Sequence, residues 1–167
     1  MNKAQLLKKI LAALQTAHEG AVAAAAQAHE TATNTENIAE NKYDTLGLEA
    51  AYLAHGQSIR VAECADNLEA YQKLSTANFS PDTPIKVGSL VHLSRIPPDL
   101  AESHDTEQFV FLGPCAGGLK IDFDGREVFI ITTSAPLGQA IIGRCQHDEV
   151  EITLTGVRDL YEIVSVS

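Results

Sequence analysis

The chain of 167 residues has no tryptophan, a single methionine and only 5% aromatic residues. A deep aromatic core is therefore not expected. The hydrophobic 45%, much of it alanine, has to form the interior from small and aliphatic groups. Cysteine is scarce and odd in number, since Cys64, Cys115 and Cys145 lie far apart without paired spacing. That excludes a disulfide scaffold, a zinc signature and a redox motif. The three are expected to be reduced, partly buried small hydrophobes. No stretch of about 18 apolar residues is present to span a bilayer, and the start of the chain lacks the unbroken hydrophobic core of a signal peptide. A soluble, cytoplasmic protein is expected. Positive charge is sparse as well: 12 Lys and Arg stand against 22 Asp and Glu, a formal net charge of -10. Such an excess repels a phosphate backbone, because non-specific nucleic-acid affinity comes from cations displacing condensed counterions. Independent DNA or RNA binding is disfavoured.

Alanine is distributed unevenly, with 18 in residues 1–75 and 5 in 76–167, whereas all six prolines lie after residue 80. Glycine follows proline, with three before residue 76 and eight after. Helix formers thus dominate one half and helix breakers the other. In the first half Leu7, Ile10, Leu14, Ala17, Ala21, Ala24 and Ala28 alternate in steps of three and four. This is a coiled-coil seam, and it predicts one helix from about Asn2 to about Thr33. Thr33-Asn34-Thr35-Glu36-Asn37 then supplies cap and turn side chains. Ala51, Ala54, Ser58, Val61, Ala65 and Leu68 resume the same steps, so a second helix should run back antiparallel to the first. Gly47 and Gly56 each weaken that helix by about 1 kcal/mol.

Residues 75–86, with Pro81 and Pro84, read as a connection, and the domain expectation is a hairpin over 1–75, a linker over 76–86 and a globular domain over 87–167. Short β-like runs follow at 89–96, 107–112, 119–122, 128–132, 150–154 and 160–166, separated by turn signals such as Pro97-Pro98, Gly117-Gly118 and Asp124-Gly125. A helix is predicted over 136–142, with Pro136 in its first turn and Gly143 just past its end. The whole reads as α+β: a helical hairpin, then a mostly antiparallel sheet carrying one short helix.

The residues Ser134-Ala135-Pro136-Leu137-Gly138-Gln139-Ala140-Ile141-Ile142-Gly143-Arg144 resemble the C-terminal domain of the bacterial Gre transcript-cleavage factors, the GreA and GreB family. So do Asp148-Glu149-Val150-Glu151-Ile152 and the closing Tyr161-Glu162-Ile163-Val164. The hairpin segment Asn37-Ile38-Ala39-Glu40-Asn41-Lys42-Tyr43 is similar to that family's tip, with Tyr43 one position early. The resemblance implies an FKBP-like C-terminal domain and a monomer that binds RNA polymerase and inserts the hairpin into its secondary channel. There, tip carboxylates would help hold a second Mg²⁺ at the polymerase active centre for hydrolysis of backtracked RNA. Such a factor is not itself an enzyme, binds no metal stably alone, and meets an RNA 3′ end only inside the polymerase complex. Carried over residue by residue, Glu40 matches the family's glutamate and Asn37 stands at its aspartate position. Phe109, Phe111, Pro136 and Leu137 are expected at the polymerase-docking surface, the two Phe residues being alternatively core.

Asn37 is the main departure. An amide oxygen can bind a metal but brings no charge to balance Mg²⁺. Glu36, Glu40 and Asp44, spaced by four, form an alternative ligand set for Mg²⁺ if the tip turn shifts. A solvated acidic loop is the plain alternative. Lys42 and Arg60 are the only cationic side chains between residues 10 and 72, so transcript affinity should be lower than in basic hairpins. Two further outputs remain open: a non-cleaving occupant of the channel that competes with active factors, and a coiled-coil interaction protein with another partner. His18 and His29 share a helix face but stand about 16 Å apart, which excludes joint ligation of one ion. The turn from Gly113 to Gly118 has no following helix or Lys-Ser/Thr pair and reads as a tight strand connection. Fold alone does not license prolyl isomerase activity.

Overall fold

The computed structural model describes residues 2–34, 46–75, 79, 83–96, 107–154 and 156–167. Two compact units emerge, Ile10–Gln72 and a second that joins Met1–Lys9 to Lys73–Ser167.

The first unit is a hairpin of two helices, α1 (Lys3–Thr33, whose first residues belong to the other unit) and α2 (Leu46–Gln72). They run antiparallel: Ala24, Ala28 and Thr31 share a groove with Gln57, Leu53 and Ala50, numbers rising on one helix as they fall on the other. On α1 the buried positions Ile10, Leu14, Ala21 and Ala28 follow the predicted row, but Ala17 is exposed and His18 is half-buried in its place. On α2 the inward row is Ala50, Ala54, Gln57, Val61, Cys64, Leu68 and Tyr71. It shares Ala54, Val61 and Leu68 with the expected row, whereas Ala51, Ser58 and Ala65 are exposed and their preceding neighbours point inward. Alanine and serine bury so little surface that either row satisfies the helix at similar free energy. The larger Tyr71, fully buried, extends the observed row beyond the point where the expected one ends.

The second unit holds a six-stranded sheet: β1 (Leu90–Ile96), β2 (Glu107–Gly113), β3 (Lys120–Phe123), β4 (Arg126–Thr132), β5 (Glu149–Leu154) and β6 (Val157–Val166), with α3 (Pro136–Ile141) after β4. Strand order is β3-β4-β2-β1-β6-β5. All neighbours are antiparallel except β2 and β4, which are parallel, Phe109 facing Val128 and Leu112 facing Ile131. The sheet is therefore mostly antiparallel, as expected from the sequence, with one parallel pair inside it. Its cause is local. Asp124 and Gly125, both at positive φ (54° and 73°), close a two-residue hairpin between β3 and β4. Because β3 runs back along the edge, β4 returns in the direction of β2.

Period-two alternation gives the sheet two apolar faces. On one, Val91, Leu93, Val110, Leu112, Val150, Ile152, Tyr161 and Ile163 cluster with Ile85 and with Ile141 of α3. On the other, Leu90, Phe109, Phe111, Ile121, Phe123, Val128 and Ile130 are buried in register with one another. The start of α1 reaches this second face: Lys9 Nζ donates to the Asp122 carbonyl at 2.9 Å and stands 5.6 Å from the Phe123 ring centroid. Leu6 and Leu7 are buried. Between β1 and β6, Val164 is an extra residue, since His92 pairs with Ser165 and Leu93 with Ile163. Arg95 donates to Asp159 across the same pair of strands, from Nε at 2.9 Å and also from an Nη.

Candidate functional site

The segment 134–144 folds as its residue types demand. Ala135 caps α3 in an extended conformation without a side-chain hydrogen bond, and Pro occupies the first turn, where its missing N–H leaves no donor wanting. The Gln139 amide N–H donates to the Ala135 carbonyl at 2.9 Å, and Ile142 N–H to Gly138 at 3.1 Å. Gly143, at φ 76°, stops the helix and donates to Ile85 at 2.8 Å, while Ile85 N–H donates to Arg144 at 2.8 Å. That reciprocal pair ties the end of α3 to the segment preceding β1.

Ile141 is buried in the core, and Leu137 and Ala140 pack against it. Pro136 is exposed, as are Ser134 and Ile142, so the motif presents a short apolar and hydroxyl-bearing ridge at the surface. Thr132 Oγ1 and Ser134 Oγ share a hydrogen bond of 2.8 Å at its base. Of the expected docking residues, Pro136 is thus at the surface and Leu137 is partly buried. Phe111, at 1% exposure, has no surface to offer a partner.

Phe109 is 7% exposed and sits in a row that crosses three strands. His92 of β1 stacks on it with centroids 4.4 Å apart and planes 10° from parallel. The Arg126 guanidinium of β4 lies 4.7 Å from the same ring. His92 Nε2 is buried, has no hydrogen-bond partner, and stands 3.6 Å from Glu107. A cavity of about 130 Å³ adjoins the row, lined by Leu90, His92, Phe109, Arg126, Ser165 and Ser167. Sequence spacing gave no sign of this cluster, since its members are far apart in the chain and meet only through strand register.

A second cationic arrangement was also hidden from sequence. Lys3, only 2% exposed, holds its Nζ 3.6 Å from the Phe79 centroid, and Lys86 Nζ stands 4.7 Å from the same ring. Lys3 makes no hydrogen bond through Nζ. Burial, and then the Lys86 charge, pull its pKa below the usual lysine value. Burial also raises the Cys115 thiol and the Tyr161 phenol, the latter pushed further by Asp159 and opposed by Arg95.

Glu36, Asn37, Glu40 and Asp44 lie outside the described residues. They fall in the segment 35–45 that joins the end of α1 to the start of α2. Among the described residues no group of three or more His, Cys, Asp or Glu is placed to hold a metal ion, and no helix is long and apolar enough to cross a membrane. The glycine-bearing turn before β3 spends its donors internally: Gly118 N–H bonds to Ile130 at 2.9 Å and Leu119 N–H to Ala116 at 3.3 Å. It is a strand connection rather than an anion cradle.

No protein-family model and no curated protein matches the chain. Among solved structures, it is similar to the transcription factor Gfh1 at 18% identity and a TM-score of 0.38, with 95% of this chain and 94% of that one covered. Gfh1 from Thermus thermophilus, a GreA factor homologue, aligns at 15% identity and a TM-score of 0.34 over 98% and 93%. A GreA/GreB elongation factor from Nitrosomonas europaea aligns at 24% identity and a TM-score of 0.36, covering 62% of this chain and 78% of that one.

Proposed function

We propose that this chain is a Gre-type transcription elongation factor, which binds RNA polymerase through its sheet unit and inserts the helical hairpin into the secondary channel. The observation that carries the reading is the hairpin itself. Helices of 31 and 27 residues are joined by a segment bearing Glu36, Glu40 and Asp44. At 1.5 Å per residue each helix is about 40 Å or more in length, a reach suited to a narrow channel. Support for the family comes from the 134–144 segment, whose proline, buried aliphatics and two glycines each have a structural reason in α3.

The carboxylates of 35–45 are oxygen donors of the kind Mg²⁺ prefers. A second Mg²⁺ in the polymerase centre would stabilise the attacking and leaving oxygens of a phosphodiester displacement. Glu40, with Glu36 or Asp44, would complete that metal's shell and balance its charge, and Asn37 would contribute at most a neutral oxygen. This protein would lend ligands to the polymerase rather than catalyse on its own. Asn37 favours one second reading, a factor that occupies the channel with little cleavage.

Stalled polymerase complexes incubated with wild-type protein, Asn37→Asp and Glu40→Ala separate these readings. Mg²⁺-dependent shortening of the transcript that Glu40→Ala abolishes and Asn37→Asp enhances is the expected result. Binding without shortening moves the assignment to the non-cleaving regulator. Absence of polymerase binding by the wild type removes both.

A further inference from the structure

The outer face of α2 carries a second row of large side chains that the hairpin does not use. Leu48, Tyr52 and Ile59 are 57%, 69% and 49% exposed. With exposed His55 between them they succeed one another in steps of four, three and four, the spacing of a helix-contact stripe. They lie about half a turn around the helix from the inward row of Ala50, Ala54, Gln57 and Val61. Single exposed apolar residues are ordinary, whereas a contiguous stripe marks an interaction surface.

Charge around the stripe selects its occupant. Between Leu46 and Arg60 the only Asp, Glu, Lys or Arg residues are Glu49 and Arg60, one near each end of the stripe. At about 100° per residue both fall on the same flank. Two copies of α2 laid antiparallel about a twofold axis bring like flank to like flank, so Glu49 of each copy meets Arg60 of the other. The apolar residues ask for nearly the same axis. Leu48 opposite Ile59 and Tyr52 opposite His55 place it between Leu53 and Ala54, and the charged pair places it between Ala54 and His55. A parallel pair would instead set this flank against the opposite one, which carries no Asp, Glu, Lys or Arg in this stretch, and would form no ion pair.

We propose that the protein self-associates through this face of α2, antiparallel, with Leu48, Tyr52, His55 and Ile59 in the seam and two Glu49–Arg60 ion pairs on its flank. The monomer expected from sequence is then the dilute form. Because the stripe is only about 16 Å long, the contact falls below the roughly 1,200 Å² of a stable interface, and dimerisation is weak and concentration-dependent.

Sedimentation of the full chain, from a few micromolar to several hundred micromolar, tests this without any polymerase present, so its failure is distinct from failure of the channel reading. Wild-type protein should pass from monomer to dimer over that range, and Tyr52→Glu should stay monomeric with unchanged helicity by circular dichroism. Glu49→Arg and Arg60→Glu should each weaken association about tenfold, since each replaces two attractive pairs with two repulsive ones. The double exchange Glu49→Arg/Arg60→Glu should restore it. A wild type that remains monomeric throughout overturns the proposal. So does a dimer indifferent to Tyr52→Glu, or a double exchange that associates no better than the single variants.

Discussion

Gly138 lies so close to Thr132 that a Cβ at position 138 would stand 2.0 Å from the Thr132 carbonyl oxygen and 2.9 Å from its carbonyl carbon. Both obstacles are backbone, so no side-chain rotation relieves the clash. α3 can pack its Ile141 into the core only because residue 138 has no side chain.

Gly138→Ala should therefore destabilise the sheet unit by about 3 kcal/mol, the upper range for overpacking, even though alanine is the better helix former. Calorimetric unfolding of the two proteins checks it. An unchanged melting temperature would mean that α3 sits further from β4 than described.

The hairpin offers the opposite case. A Cβ at Gly20 or Gly56 meets nothing within 4 Å, and both residues lie inside helices. Gly20→Ala and Gly56→Ala should each stabilise the hairpin by about 0.8–1 kcal/mol through helix propensity. Thermal melts followed by far-ultraviolet circular dichroism should show both gains, and they should add in the double variant, since the sites are independent.

Cys64 and Ala65 test which row of α2 faces inward. Cys64 is half-buried and Ala65 exposed, so Cys64→Asp should cost more than about 2 kcal/mol by burying a carboxylate without a partner. Ala65→Asp, which loses up to about 0.7 kcal/mol of helix propensity that Cys64→Asp does not, should still cost less than about 1 kcal/mol. Equal losses in urea melts would return the helix to the row containing Ala65.

Lys3 ties stability to alkaline pH. Its pKa is lowered in the folded protein by burial and by Lys86, so between that lowered value and the ordinary lysine value of 10.5 the unfolded chain binds more protons. Stability must rise with pH through this window as the buried ammonium is neutralised. Lys3→Met should remove that rise. At neutral pH it should change stability by no more than about 1 kcal/mol, because the lost contact with Phe79 is offset by removal of an ammonium that has no acceptor. Tyr161 acts in the other direction. Its raised pKa means that the native state holds its proton longer, so its contribution is present below the unfolded pKa and is lost as pH rises through the folded one. The measurement is the difference between wild type and Lys3→Met, in which the Tyr161 contribution cancels.

Elements with strong local punctuation were legible in the sequence. The short helix at Pro136, the Asp124-Gly125 hairpin and all six strands lie where turn residues and alternation placed them, to within a few residues at their ends. What local pattern does not encode is direction and degeneracy. Alternation in β4 is the same whether it pairs with β2 parallel or antiparallel, and nothing in Arg126–Thr132 itself reports that β3 occupies the outer edge. In α2, neighbouring rows of small residues differ too little in apolar area to decide between them. The His92–Phe109–Arg126 row and the Lys3–Phe79–Lys86 cluster were invisible because they exist only once strands and termini are in register. The four tip residues were legible as chemistry, Asn37 included, and the segment that carries them lies outside the described residues.

The sheet unit is discontinuous in the chain: its first nine residues are separated from the rest by the whole of Ile10–Gln72. During synthesis those residues precede the rest of their unit, and Lys9 meets Asp122 only after that strand has been made. Contacts of such long sequence separation form slowly, whereas helix pairing across a short connection is local. The hairpin thus serves as the loop closure for its neighbour, shortening the search that the first nine residues must make. A defect that opens the hairpin should slow the folding of a sheet that it does not itself alter.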